Sequence, residues 1–455
     1  MITAEAFRGK RYMVLGLARS GMATVESLLA SGADVTAWDR QDGPKRELEG
    51  RATIADPLEI DLSGFDAIVV SPGVPLNTHP LTPRAAEAGV PIIGDIELFA
   101  QARAELPPHE VVGITGTNGK STTTALVHHI LKTAGVPTTM GGNIGLPIMA
   151  QEPLPEGGVY VLELSSYQID LTQSLDCDVA VLLNITPDHL DRYDSFEAYA
   201  AAKVRLFEMQ RDGTGIQMSV AGNQPQMWRD IKAGEWRSDL SDHNIVDLSN
   251  QNEWPSLAGP HNAQNAAAAI AVCETLGLEG DQVQNGLRTY PGLPHRMERV
   301  STCGGKLFIN DSKATNPAST APALAAYPPE EGKKRIHWIC GGLAKEDNLD
   351  DCAPHFGNVA CAYTIGEAGP MFADLLEPHM PVERCEMLGE AVRRAVDSAQ
   401  KGDVVMLSPA CASFDQFRDY ETRGEVFKEA VAEIGCGGDR GACGLDEESE
   451  WGAAK

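Results

Sequence analysis

Apolar residues along this chain fall into short runs that stop at glycine, serine or asparagine, and many of these runs lead into a segment with helical spacing. The stretch "RYMVLGLARSGMATVESLLASGADVTAWDR" predicts a strand over 12–15, a turn flanked by Gly16 and Gly21, a helix over 22–31 and a strand over 35–38 that ends at Asp39. "AIVVSPGVP" (67–75) reads as another buried strand closing in a Gly/Pro loop. Further on, "EVVGITG" (110–116) predicts a strand and "TTTALVHHILKTAG" (122–135) a helix closed by Gly135. Two more apolar strands follow, "VYVLELSS" (159–166) and "VAVLLNIT" (179–186). A last group, "LFINDSKATNP", "RIHWICGG", "CAYTIGE" and "DVVMLSPACASFDQF", repeats the pattern of a strand followed by a polar loop. Strands alternating with helices imply parallel sheets, with ligands at the C-terminal ends of the strands. The segment 212–256 shows no clean period and receives no assignment, and the Gly- and Glu-rich tail over 436–455 is expected to be mobile.

A chain of 455 residues exceeds one core and suggests three domains of about 150 residues each. The fold class expected is α/β. It comprises a Rossmann-like N-terminal domain over 1–100, a central parallel-sheet domain of P-loop ATPase type over 101–298, and a C-terminal Rossmann-like α/β domain over 299–435. The first turn approximates a dinucleotide fingerprint, with Asp39 about 20 residues on, but Ala18 stands at the middle glycine position.

Composition narrows the partners. The net charge of −27 argues against nucleic acid, and it requires any anionic ligand to be held by local lysines, backbone amides and metal ions. No apolar run approaches about 18 residues, so no membrane insertion is expected, and the N-terminus lacks the pattern of a signal peptide. The ten cysteines form no CxxC pair, apart from the loose "CGGDRGAC", and read as free thiols in a reducing cytoplasm.

The chemistry begins at "GITGTNGKST" (113–122). A common phosphate loop has a glycine at the position held here by Ile114, whereas the nearest earlier glycine, Gly116, is separated from Gly119 by only two residues. Backbone N–H groups before a helix still form an anion cradle, Lys120 adds a point charge, and Ser121 is placed for Mg²⁺. Glu163 ends an apolar strand and would sit beside this loop if the two strands are neighbours. "NITPDHLDRY" packs Asp188, His189, Asp191 and Arg192 together, with His189 a candidate for metal or for bound phosphate. Lys203 lies in an apolar helical run, "YAAAKVRLF"; such a lysine either snorkels to water or, if buried, becomes a nucleophilic amine.

In "GPHNAQNAAAAIA", His261 stands beside Asn262 and Asn265, which share a helix face and could cap that helix or read a base edge. Arg296 falls at the expected join of the second and third domains. The loops carrying Asp311, Lys313, Thr315 and Asn316, then Lys345, then Ser408, Ser413 and Asp415 look like one anion-binding rim, or like turn chemistry alone.

Taken in order, "GTNGKST", "ELSSYQ", "DHLDRY…AYAAAKVRLF", "GPHNAQNAAAA", "GLPHRMERV", "NDSKATNP" and "SPACASFDQF" resemble the motifs of the Mur ligases, from Tyr12 to about Phe427. "SPACASFDQF", the "GLPHR" form and the first domain are most similar to the branch that joins D-glutamate to UDP-N-acetylmuramoyl-L-alanine. The resemblance implies ATP-driven amide formation through an acyl phosphate, by a cytoplasmic monomer engaged in peptidoglycan precursor synthesis. It implies that Gly116, Thr117, Asn118, Gly119, Lys120, Ser121 and Thr122 hold ATP, with Asn262, Asn265, Arg296 and Asp311 at the nucleotide. Two Mg²⁺ sites are implied, Ser121 and Glu163 at the first, His189 and a carbamylated Lys203 at the second; Lys120, His189 and Lys203 would be catalytic. Substrate contacts are implied at Ser20 and Arg40 for the uridine end, with Gly73 near the substrate, Asn143 and His189 for the muramoyl end, and Lys313, Thr315, Lys345, Ser413 and Tyr420 for the amino acid and transferred phosphate. Alternatives are another Mur ligase with a different amino acid, a folylpolyglutamate synthase, an NAD-dependent dehydrogenase suggested by the first domain, and a non-catalytic nucleotide-binding scaffold.

Overall fold

The structure, a computed structural model, describes residues 1–186, 192–211, 215–219, 251–257 and 260–434. The expectations for Asp188, His189 and Asp191, for most of 212–256, for the His261 side chain and for the tail lie outside the described residues. The chain divides into two compact units, Met1–Tyr290 and the part from Pro291 onward. The first contains two α/β domains and the second a third, each built on its own sheet.

The N-terminal sheet comes from β1 (Arg11–Leu15), α1 (Arg19–Ala30), β2 (Asp34–Trp38), α2 (Asp42–Glu47), β3 (Thr53–Ile54), β4 (Ala67–Val70), α3 (Leu81–Ala88), β5 (Ile92–Ile93) and α4 (Asp95–Ala102). Its order is β3-β2-β1-β4-β5, all parallel. The order reverses between β1 and β4, which opens the ligand crevice of such sheets at the ends of those two strands. α1 starts at Arg19, three residues ahead of the expected 22, because the chain turns into the helix directly after the extended Ala18. Gly21 permits this: a Cβ there would lie 1.8 Å from the Gly16 carbonyl oxygen.

The central sheet uses β6 (His109–Thr115), α5 (Lys120–Thr133), β7 (Thr138–Gly142), β8 (Gly158–Glu163), α6 (Ser166–Asp170), β9 (Val179–Leu182), α7 (Phe196–Glu208), β10 (Ile216–Ser219), α8 (Pro260–Thr275) and α9 (Gly280–Thr289). The order is β10-β9-β6-β8-β7, again parallel. β6 is therefore central and apolar on both faces, as a parallel strand covered by helices must be. One buried cluster joins the two sheets of this unit, with the Phe99 and Tyr160 rings 5.0 Å apart.

The second unit is built from β11 (Glu298–Cys303), β12 (Lys306–Asn310), α10 (Pro317–Ala325), β13 (Ile336–Gly341), β14 (Val359–Ile365), α11 (Gly369–Leu376), β15 (Val382–Glu386), α12 (Leu388–Ser398), β16 (Val404–Leu407) and α13 (Tyr420–Glu433). In the order β11-β12-β16-β13-β14-β15, only β11 runs antiparallel, turned back through Gly304 and Gly305. That hairpin was not foreseen, because β11 has no buried residue and lacks the apolar run that marks the other strands. Among the described residues seven cysteines, including Cys177, Cys340 and Cys411, are free thiols, as expected, whereas Cys303 is disulfide-bonded. Among the described residues no helix is long and apolar enough to cross a membrane.

Candidate active site

The phosphate loop leaves the C-terminal end of β6 and enters α5. Gly116 takes φ 151° and Gly119 φ 86°, both in the region that favours glycine. Gly119 is also the N-cap of α5 and offers no side chain to its first-turn N–H groups, so that end of the helix is left for an anion. The loop is stapled to the end of β9. Thr117 and Asn118 donate backbone N–H groups to Asn184 O and Oδ1, both at 2.8 Å, and Asn184 Nδ2 returns a bond to Asn118 O at 2.9 Å. Asn184 had no place in the expected site, although it lies just past the end of β9 and opens the stretch "NITPDHLDRY".

Lys120 folds back over this loop, its ammonium 2.9 Å from both Gly116 O and Thr117 O. Lys203 comes to the same carbonyl from α7: its Nζ lies 3.0 Å from Gly116 O, and the side chain is 2 % exposed. The snorkelling alternative is thereby set aside, since this lysine points inward to the loop. Its ammonium also sits 4.7 Å from the centre of the Tyr199 ring, one helical turn back, and the Tyr199 hydroxyl pairs with Thr117 Oγ1 at 3.1 Å.

Strands β6 and β8 are neighbours, with Ile114 opposite Glu163, so the Glu163 carboxylate stands beside the phosphate loop. It is 2 % exposed; Asn143 Nδ2 donates to Oε1 at 3.0 Å, and Oε2 has no hydrogen-bond partner among the described residues. Asn143, expected at the muramoyl substrate, thus also orients Glu163. A buried carboxylate oxygen without a partner is costly unless a cation meets it, so this donor fits a hard divalent ion, with the buried Ser121 close by at the start of α5. Asn265 lies under the loop: its Oδ1 accepts from Thr123 Oγ1 at 3.3 Å, and its Nδ2 donates to Asn262 Oδ1 at 3.2 Å. A Cβ on Gly119 would come within 2.2 Å of Asn265 Oδ1, so this packing favours glycine there.

At the crevice of the first sheet, Ser20 occupies the first turn of α1, whose N-cap Ala18 supplies no side-chain bond. Asp39 is consumed internally, accepting from Leu17 N at 2.6 Å and Gln41 N at 2.8 Å. Arg40 is exposed, and a Cβ on Gly73 would meet no atom within 4 Å.

In the second unit, three loops at the C-terminal ends of β12, β13 and β16 come together. Ser408 Oγ donates to Asp311 Oδ2 at 2.7 Å, Lys345 Nζ donates to Thr315 Oγ1 at 3.3 Å, and Leu343 pairs with Ala412 across two loops. Lys313 stands 5.7 Å from the Tyr420 ring, Ser413 is buried, and Asp415 Oδ2 accepts from Glu367 N at 3.0 Å. Burial pushes the Asp311 carboxyl up to about 6, against the opposing pull of Ser408, Arg296 and the Met297 amide. Arg296 Nε is buried without a partner among the described residues, between His295 and Met297, which both hold positive φ. The residue that sequence reasoning missed here is Arg423. It is 1 % exposed and donates to Ser312 Oγ and O and to Cys411 O and Ala412 O, tying two rim loops together.

Comparison with known proteins follows this geometry. Residues 10–94 match the MurD-like N-terminal domain of Mur ligases, 114–233 the Mur ligase middle domain and 295–411 the Mur ligase glutamate ligase domain. A protein of Novosphingobium aromaticivorans named UDP-N-acetylmuramoylalanine--D-glutamate ligase is 64% identical over 95% of this chain and 96% of its own length. The chain belongs to the Mur ligase family. Proteins of the same name from Sphingopyxis alaskensis and Zymomonas mobilis are 58% and 54% identical, over 96% and 95% of this chain and 100% and 99% of theirs. Among solved Mur ligases, MurF from Thermotoga maritima in complex with ADP aligns with TM-score 0.57 at 14% identity, over 94% of this chain and 96% of its own. UDP-N-acetylmuramate-alanine ligase MurC from the same organism gives 0.55 at 19%, over 93% and 99%. At that distance the likeness concerns the fold alone.

Proposed function

We propose that this Mur ligase joins UDP-N-acetylmuramoyl-L-alanine to D-glutamate at the expense of ATP, in the cytoplasm and as a monomer. A substrate carboxylate oxygen attacks the γ-phosphorus and ADP leaves, giving an acyl phosphate. The D-glutamate amine then attacks the acyl carbon, loses a proton, and inorganic phosphate departs as the amide forms. The observation that carries this reading is the convergence of Lys120, Lys203 and Glu163 on one shortened phosphate loop. The curated relatives' shared name supports the choice of D-glutamate.

Phosphoryl transfer asks the protein chiefly for positioning and for charge neutralisation. The open N-terminus of α5 receives the phosphates, and Lys120, already held over the loop, exchanges its backbone acceptors for phosphate oxygens. Ser121 and Glu163 would hold one Mg²⁺, which would neutralise charge on the β- and γ-phosphates. For a second ion the reading uses a carbamylated Lys203 with His189. Its support is a lysine buried beside another lysine, where addition of CO₂ replaces a cation by an anionic oxygen donor.

The reading assigns 1–100 to the uridine substrate through Ser20, Arg40 and Gly73, 101–298 to ATP, and 299–435 to D-glutamate. On the rim, Lys345 and Thr315 would take a glutamate carboxylate, with Ser413 and Tyr420 beside it and Lys313 near the transferred phosphate. Asn262, Asn265, Arg296 and Asp311 would serve the nucleotide. Phosphate release should require ATP, UDP-N-acetylmuramoyl-L-alanine and D-glutamate together. Equal release with L-lysine or meso-diaminopimelate in place of D-glutamate would overturn the assignment.

A further inference from the structure

We propose that Arg192 is a positioning residue for the UDP-linked substrate, pinning the turn that carries Gly73 and linking it to the phosphate loop. The proposal rests on the reading of that turn as substrate-facing. Arg192 Nη2 donates to the carbonyls of Pro72 at 3.2 Å and Val74 at 3.4 Å, the two residues that flank Gly73. The turn itself is closed by Val74 N on Ser71 O at 3.0 Å and is seated on the first sheet by Ser71 N on Leu15 O and Ser71 Oγ on Gly16 O. The turn is open at Gly73, where a Cβ meets nothing within 4 Å.

The same guanidinium lies 4.4 Å from the centre of the Tyr167 ring. Tyr167 stacks on Tyr193, with centroids 6.0 Å apart and planes 11° apart, and Tyr193 packs 5.4 Å from Tyr199. Tyr193 is fixed by its hydroxyl on Asp170 Oδ2 at 2.7 Å, and Tyr199 reaches the phosphate loop through Thr117 Oγ1 and the Lys203 ammonium. A contiguous row of packed rings therefore runs from the Pro72–Val74 carbonyls to Thr117. Arginine suits its end, because a planar guanidinium can stack on a ring while its edge donates to two acceptors, and a lysine ammonium cannot do both. The cation faces neutral carbonyls and an aromatic face, so its work here is to hold backbone in place.

The test uses the full chain with Arg192→Ala, Arg192→Lys, Tyr167→Leu, the Arg192→Ala/Tyr167→Leu double variant and Gly73→Val. Amide hydrogen exchange over 71–74 should quicken in Arg192→Ala, in the absence of any ligand. The affinity for UDP-N-acetylmuramoyl-L-alanine should fall about ten-fold, the scale of a lost charge-assisted bond, while ADP affinity stays within about two-fold. Arg192→Lys should recover only a minor part of the loss, and the double variant should lose less than the sum of its two parts. Unchanged exchange over 71–74 overturns the pinning, and equal weakening of ADP and substrate with a lowered Tm reduces Arg192 to a general structural role. Gly73→Val separates the premises, because a Cβ at that position meets no protein atom within 4 Å. If Gly73→Val abolishes substrate binding and Arg192→Ala leaves it intact, the proposal fails alone; if neither changes it, the reading of the turn fails and takes the proposal with it.

Discussion

Lys120 and Lys203 place their ammonium groups on one acceptor, the carbonyl oxygen of Gly116, at 2.9 and 3.0 Å. Lys203 is the buried one of the two, and its carbamylation would replace a cation on the loop by an anionic oxygen donor. With ¹³C-labelled bicarbonate the protein should therefore give a single carbamate signal that disappears in Lys203→Arg. The rate of ligation should fall about 100- to 1,000-fold in that variant. An active wild-type enzyme without a labelled carbamate would refute this.

Glu163→Gln keeps the shape of the side chain and the acceptor for Asn143, but removes the charge. The expected outcome is a loss in kcat of about 100-fold or more, together with a higher Mg²⁺ requirement. Stability should not fall, because an unpartnered buried carboxylate oxygen already costs the fold about 1–3 kcal/mol. Thermal unfolding beside a magnesium titration of activity checks both halves.

Asp95, at the start of α4, is 4 % exposed, and burial pushes its carboxyl up to about 6 from the ordinary 3.8. The folded value lies above the unfolded one, so the ionised group destabilises the fold at neutral pH and the penalty fades as pH falls from about 6 to about 4. The full difference corresponds to about 3 kcal/mol. Asp95→Asn should be more stable than the parent at pH 8 by up to that amount and equal to it near pH 4. Denaturant midpoints measured across this range give the answer.

Arg423→Met should loosen the rim of the second unit. The substitution leaves the carbonyls of Ser312 and Cys411 without their donor, at about 1–3 kcal/mol for each that water cannot reach, while Ala412 O keeps the Leu343 N–H. Because the loops it ties carry Lys313, Thr315 and Ser413, KM for the amino acid should rise more than KM for the UDP-linked substrate. Initial-rate kinetics in each substrate in turn would show the split, and equal rises would argue for a purely structural role.

The phosphate loop was legible in the sequence because its chemistry is contiguous: glycines, lysine and serine stand side by side between a strand and a helix. Glu163 could be placed there only on the condition that its strand adjoins β6, which the ladder satisfies. Arg423 could not be found the same way. It sits among alternating polar and apolar residues of α13, where an arginine normally reaches solvent, and only the folding of two distant loops over it reveals four buried acceptors. Asn184 escaped for a similar reason, and Arg192, singled out within its motif, received no role of its own, since backbone atoms from segments remote in sequence are their partners. The antiparallel β11 hid because a half-buried edge strand shows neither an apolar run nor a clean alternation.

The pairing of Ile114 with Glu163 also says where this gene tolerates length changes. Residues 151–157 bridge two neighbouring strands outside the ladder, and an insertion there leaves the count along β8 intact. A one-residue deletion within Val159–Leu162 is different: it would shift every later position of the strand to the opposite face and carry the carboxylate away from the loop. The site is thus an address measured in residues from the strand's start, and the apolar letters that spell out that distance are as much a part of the ligase's inheritance as the glutamate at its end.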